Sequence, residues 1–89
     1  MMEQTFKIIN KLGLHARAAA KFVTTASAYQ SEITVSRDGR SVNGKSIMGV
    51  MMLAAAKGTE IRVNAIGDDA EAALDAISSL INDYFGEGE

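Results

Sequence analysis

The sequence predicts an α+β fold: an open-faced β-sandwich in the order β-α-β-β-α-β-α, with a four-stranded antiparallel sheet and three helices on one of its faces. Three observations lead there. Four short segments alternate apolar and polar residues at the period of a strand, and three others carry apolar residues at helical spacing. Strands that are apolar on one face only need a cover, and the helices supply it. The 89 residues fit a single domain, 1–89. A chain of this size buries roughly 60–65% of the surface its unfolded form exposes. With 47% apolar residues it supports one modest core and no deep pocket, so the expected working site is a surface patch read by another protein.

Residues 5–10, Thr-Phe-Lys-Ile-Ile-Asn, place Phe6 and Ile8 on one face of the first strand. Leu12-Gly13-Leu14 forms a loop in which Gly13 is free to take backbone angles other residues resist. From Ala16 to about Ser27 the chain is alanine-rich and free of proline and glycine, which predicts a helix with Ala19, Phe22, Val23 and Ala26 inward. Residues 32–37 alternate with Ile33 and Val35 inward, Asp38-Gly39 is a hairpin turn signal, and a short strand follows around 40–43. Ser46 heads a second helix, Ile47 to about Ala55, which Gly58 is placed to terminate. Residues 60–66 alternate again. The last helix combines a capping box, Asp68 and Glu71, with apolar residues at Ala70, Ala73/Leu74, Ile77, Leu80/Ile81 and Tyr84. The tail, Gly86-Glu87-Gly88-Glu89, is expected to fray.

Charge narrows the function. Eleven acidic residues nearly balance nine basic ones, and the basic residues are dispersed, so no nucleic-acid partner is expected. The absence of cysteine excludes disulfides and thiolate chemistry, and a single histidine without cysteine does not supply an ordinary zinc ligand set, so neither metal nor cofactor is expected. No segment is long and apolar enough to span a bilayer, and Met1-Met2-Glu3-Gln4 lacks the basic and apolar regions of a signal peptide. A cytoplasmic monomer is the expectation.

His15 stands where loop becomes helix. A helix N-terminus exposes unpaired backbone N–H groups and the positive end of the dipole, so the amides of Ala16 and Arg17 would meet a phosphoryl group on the imidazole. Arg17 would add a planar cationic fork for the same oxygens. A neutral imidazole nitrogen is nucleophilic near neutral pH, which suits a transient carrier. Position alone leaves a second reading open, that of a half-exposed surface or capping histidine.

The segment Leu12-Gly13-Leu14-His15-Ala16-Arg17 resembles the active-site motif of the histidine-containing phosphocarrier family of the bacterial phosphoenolpyruvate-dependent phosphotransferase system. Gly44-Lys45-Ser46-Ile47-Met48-Gly49-Val50-Met51 is similar to that family's serine-site region, and the resemblance runs from about residue 4 to 84. It implies a phosphoryl carrier in sugar uptake or its regulation, transferase-like but with no small-molecule turnover of its own. His15 would accept phosphate on Nδ1 from the system's first enzyme (enzyme I) and pass it to A-type (EIIA-type) components, with Arg17 accompanying the phosphohistidine. One departure stands out: the family commonly has proline after the arginine, and this chain has Ala18. A less rigid start to the helix and an altered partner preference are the expected consequences.

Ser46 reads locally as an N-cap. The resemblance adds regulatory phosphorylation by an ATP-dependent kinase/phosphorylase, which would set about two negative charges beside a docking surface. The helix after it carries more apolar surface than one side buries: Ile47, Val50, Met51 and Ala54 group together, with Met48 and Met52 beside them. Methionine suits a surface that meets several partners. The resemblance supports Ile47, Met48, Met51 and Met52 as docking residues, with Arg17, Lys21 and Lys45 as a positive rim; that Met48 and Met52 merely complete the edge of the core is the other reading. Two alternatives remain: a nitrogen-related regulatory phosphotransferase carrier, and a regulatory binding protein that never carries phosphate. An autonomous enzyme finds no support, since the chain has no Walker loop and no carboxylate pair beyond ordinary capping.

Overall fold

Alternation becomes strand at all four expected places in the computed structural model, which describes residues 1–89. The elements are β1 (Met2–Lys7), α1 (Ala16–Ser27), β2 (Glu32–Arg37), β3 (Arg40–Asn43), α2 (Ile47–Met52), β4 (Glu60–Ile66) and α3 (Ala70–Asn82), followed by a 3-10 turn at Tyr84–Gly86. The sheet order is β1-β4-β2-β3 and every neighbouring pair is antiparallel. The three helices cover one face, as the amphipathic strands require. Phe6, Ile33, Val35, Ile61, Val63 and Ala65 point from the sheet into the core, meeting Ala18, Ala19, Phe22 and Ala26 of α1 and Ala73, Leu74, Ile77 and Ile81 of α3. Alanine at three of the four buried α1 positions lets that helix lie close to its neighbours, with Phe22 filling the gap. The β2–β3 turn places Asp38 and Gly39 at φ 49° and 81°, the positive angles that Asp-Gly supplies in a tight hairpin.

Element ends moved where tertiary bonds outweighed local pattern. The first strand runs 2–7 rather than 5–10. Its apolar side still continues through the buried Ile8, whose N–H donates to Thr59 at 2.8 Å, and the chain then turns in on itself so that Asn10 is buried. Val23, expected in the core, is only partly buried, and Ala18, which was not expected there, is fully buried. The second helix stops at Met52, three residues early, and Gly58 plays no part in ending it. Ala54 takes a left-handed φ of 51°, which lets Leu53 and Ala55 both enter the core. The last carbonyls of α2 find side-chain donors: Arg37 bonds Leu53 O at 2.8 Å and Arg40 bonds Met52 O at 3.2 Å.

The expected capping box does not form. Asp69, not Asp68, is the N-cap position of α3, and its carboxylate turns away from the helix. It accepts from the Gln30 and Ser31 amides at 2.8 and 2.9 Å and from the Ser31 hydroxyl, tying the start of α3 to the loop before β2. These bonds, the Ser31 hydroxyl foremost, hold the Asp69 carboxyl below the ordinary aspartate value. The stabilisation they bring is therefore present above that ordinary value and is lost as pH falls through the lowered one. Asp69→Asn should flatten the acid limb of stability, measured by urea unfolding between about pH 5 and 2, relative to the parent chain.

At the far end Tyr84 is not the last core residue. Tyr84 and Phe85 both have positive φ, 58° and 53°, and this double reversal buries Phe85 completely while Tyr84 stays exposed. The chain then returns towards the start of α1, where residues 86–89, expected to fray, make the bonds described next.

Candidate functional site

The loop ahead of α1 is built by its own sequence. Asn10 and Gly13 close a turn, with Gly13 N–H donating to Asn10 O at 3.2 Å and Asn10 Nδ2 donating to Gly13 O at 2.8 Å. The Leu14 amide then bonds Ala55 O at 2.9 Å, and Leu14 is buried. This anchor fixes the next residue. His15 is the N-cap of α1 in extended backbone (φ −75°, ψ −179°), and its side chain makes no cap bond, so the imidazole is directed elsewhere. The first intrahelical bond runs from Ala19 N to His15 O at 2.8 Å, which leaves the amides of Ala16, Arg17 and Ala18 ahead of the ladder. Proline at Ala18 would thus remove no helical hydrogen bond, and alanine there costs the helix none.

His15 Nε2 contacts the carboxylate Oε2 of Glu87, and Nδ1 has no protein partner. The other Glu87 oxygen accepts from Asn10 Nδ2 at 3.0 Å. The Glu87 side chain is only 11% exposed against 29% for His15. Burial opposes its charge, but the hydrogen bonds from His15 and Asn10, with the charges of His15 and Lys21, outweigh that and hold its carboxyl below the ordinary glutamate value. The segment carrying Glu87 is held on both sides: Lys21 Nζ donates to Phe85 O at 2.6 Å, and Lys11 N donates to Glu89 O at 3.0 Å.

An open groove brings together His15, Ala16, Arg17, Lys21 and Glu87. The Arg17 side chain is exposed and enters none of the ion pairs, so its guanidinium is unoccupied. Lys45 lies outside this groove, its ammonium bonded to Tyr29 O at 2.7 Å. Ser46 caps α2 as its sequence implies, its Oγ accepting from Gly49 N at 3.1 Å. The grouping on that helix is narrower than the wheel suggests. Only Val50 is buried in α2; Ile47, Met48, Met51 and Met52 are all exposed, Met48 by 73% and Met52 by 66%, and Ala54 is exposed beyond the helix end. No group of three or more His, Asp or Glu side chains is arranged to hold a metal ion, and no helix is long and apolar enough to cross a membrane.

Glu87 and Asn10 were not singled out by sequence reasoning. A carboxylate between two glycines reads as solvated tail, and nothing local shows that Phe85 folds the tail back. Asn10 did leave a signal, since Asn three residues before Gly is turn chemistry.

The site sits on a chain with close relatives. The family model described as PTS HPr component phosphorylation site matches residues 2–83. The phosphocarrier protein HPr of Neisseria meningitidis serogroup A is 58% identical over 89 residues, covering 100% of both chains. The corresponding protein of Xylella fastidiosa strain Temecula1 is 54% identical over 87 residues, covering 98% of each. The crystal structure of HPr-C-His from Thermoanaerobacter tengcongensis superposes with a TM-score of 0.94 at 50% identity, covering 98% of each chain.

Proposed function

The chain belongs to the HPr family of phosphotransferase-system phosphocarriers, and from that membership we propose that His15 is the residue that carries the phosphoryl group, on Nδ1. Proteins of this family relay phosphoryl groups in sugar uptake and its regulation through a phosphohistidine, between partners of the enzyme I and EIIA kinds, and are not autonomous enzymes. The observation that supports the assignment of His15 is its placement: a partly exposed imidazole at the N-cap of a helix whose first amides are free, with Nδ1 unpartnered and Arg17 in no ion pair.

The Nδ1 lone pair attacks phosphorus on the donor and the donor's N–P electrons return to its own nitrogen. The amides of Ala16 and Arg17 and the Arg17 fork receive the phosphoryl oxygens. A dipole contact at a solvent-exposed helix end is worth only about 0.3–1 kcal/mol, which supports the intermediate without trapping it. Met48, Met52, Ile47 and Met51 form the apolar part of the partner surface, with Arg17, Lys21 and Lys45 as its cations, the two lysines each tethered to a backbone carbonyl, Phe85 O and Tyr29 O. The carrier acts as a cytoplasmic monomer, the form in which this one surface meets successive partners. Incubation with phosphoenolpyruvate and catalytic enzyme I should add one acid-labile, base-stable phosphoryl group, which an EIIA-type protein then removes. Failure to label intact protein with an active enzyme I would refute the assignment.

Ser46 is the regulatory site in this reading, a substrate for an ATP-dependent kinase/phosphorylase. A phosphate there meets the N-terminus of α2, which tolerates negative charge, and sets about two negative charges next to Ile47 and Met48. The kinase should label the parent chain and leave Ser46→Ala unlabelled. Ser46→Ala should also lose about 1 kcal/mol of stability with the cap to Gly49, read by thermal unfolding.

A further inference from the structure

The carboxylate against the back of the His15 ring is the least expected feature of the site. Glu87 is almost buried, and its two oxygens are divided between His15 Nε2 and Asn10 Nδ2. Asn10 is itself fully buried and pinned to Gly13, so the carboxylate rests on the same turn that sets up His15. Lys21 and Lys11 hold the chain on either side of it. A carboxylate placed this way is an acceptor only, and the ring nitrogen facing it must be the one that bears hydrogen. The other nitrogen, Nδ1, then carries the free lone pair.

We propose that Glu87 is a positioning residue for phosphoryl transfer, its carboxylate keeping the proton on His15 Nε2 and balancing the positive charge that the ring acquires as the Nδ1–P bond forms. This rests on the reading of His15 as the phosphorylated residue. In the step itself the Nδ1 lone pair makes the new N–P bond, and the N–P bond of the donor phosphohistidine breaks with its electrons going to the donor ring. No proton is exchanged: the hydrogen on Nε2 stays there, bonded to Glu87, while the ring passes from neutral imidazole to imidazolium. A fixed anion at that position lowers the energy of the charged ring more than that of the neutral one, so it acts on the transition state rather than on docking. Asp or Glu behind a catalytic imidazole does the same in hydrolytic triads.

The test compares the parent chain with Glu87→Gln and Glu87→Ala as phosphoryl acceptors of enzyme I, with unfolding midpoints measured alongside. In Glu87→Gln kcat should fall about ten-fold, the rate equivalent of one charge-assisted hydrogen bond, while the KM for the carrier stays unchanged because the docking surface is intact. Ring nitrogen NMR of the parent chain should place the proton on Nε2, with a deshielded N–H resonance that shifts in Glu87→Gln and disappears in Glu87→Ala. A merely structural Glu87 would lower the unfolding midpoint and leave kcat and the ring resonances of Glu87→Gln at parent values; that result, or a proton found on Nδ1 of the parent chain, overturns the proposal. If His15 of the parent chain takes no phosphoryl group, the carrier assignment fails with it.

Discussion

With His15 replaced by alanine, the protein should fold as before and accept no phosphoryl group. The fold is expected to survive because the imidazole supplies no helix cap, is partly exposed and is not among the core residues. A surface change of this kind costs within about 1 kcal/mol. Labelling should nevertheless fall to background, since no other side chain in the groove is a nitrogen nucleophile near neutral pH: Arg17, Lys11 and Lys21 are cations there. A second readout comes from the partner left behind. Glu87 loses the hydrogen bond and the charge that lower its pKa, so its titration should move upward in His15→Ala, towards the range burial favours. The contribution of that lowered carboxyl to stability, present above the ordinary glutamate value and lost as pH falls through the lowered one, should shrink accordingly. Carboxyl NMR titration of both chains measures the shift.

Gly13→Ala should be the most damaging conservative change. Gly13 has a φ of 68°, and a Cβ there would stand 2.5 Å from Ala55 O and 2.9 Å from Ala56 Cα, both backbone atoms that cannot swing aside. The left-handed angle costs roughly 1–2 kcal/mol for an alanine, and the overlap adds about 1–3 more. Urea unfolding should therefore show a loss of about 2–5 kcal/mol. Gly39→Ala is the control. Its φ is 81° but nothing lies within 4 Å of the added carbon, so only the angle is penalised, by about 1–2 kcal/mol. The difference between the two variants isolates the contact with the segment after α2. Because Leu14 N bonds the same Ala55 carbonyl, Gly13→Ala should also displace His15 and slow phosphoryl transfer in molecules that remain folded.

Most of the architecture was legible because it depends on local periodicity. The first helix, the second and third strands, and the fourth all lie within their expected bounds, each written by alternation or by an uninterrupted alanine-rich run. His15, Arg17 and Ser46 were legible from their places at helix starts and from the resemblance of their flanking residues to a known family. What was not legible involves groups far apart in sequence. Asp68 and Glu71 have the spacing of a capping box, yet Asp69 is drawn to Gln30 and Ser31, and no local rule anticipates a partner 38 residues away. The early end of α2 depends on Arg37 and Arg40 arriving from the hairpin and on Leu14 claiming Ala55. Residues 86–89 carry the composition of a loose tail, and only the reversal at Tyr84 and Phe85 brings Glu87 to His15. The carbonyls that tether the two rim lysines, Phe85 O for Lys21 and Tyr29 O for Lys45, also lie far from them in sequence. The site is thus half local motif and half tertiary assembly.

The most direct test of the central claim is to phosphorylate the chain with enzyme I and phosphoenolpyruvate and to record phosphorus–nitrogen NMR correlations on the ring-labelled product. With Nε2 held by Glu87 and Nδ1 left without a protein partner, a single phosphorus bonded to Nδ1 of His15 is the expected product. Phosphorus on Nε2, or on any residue other than His15, would contradict it.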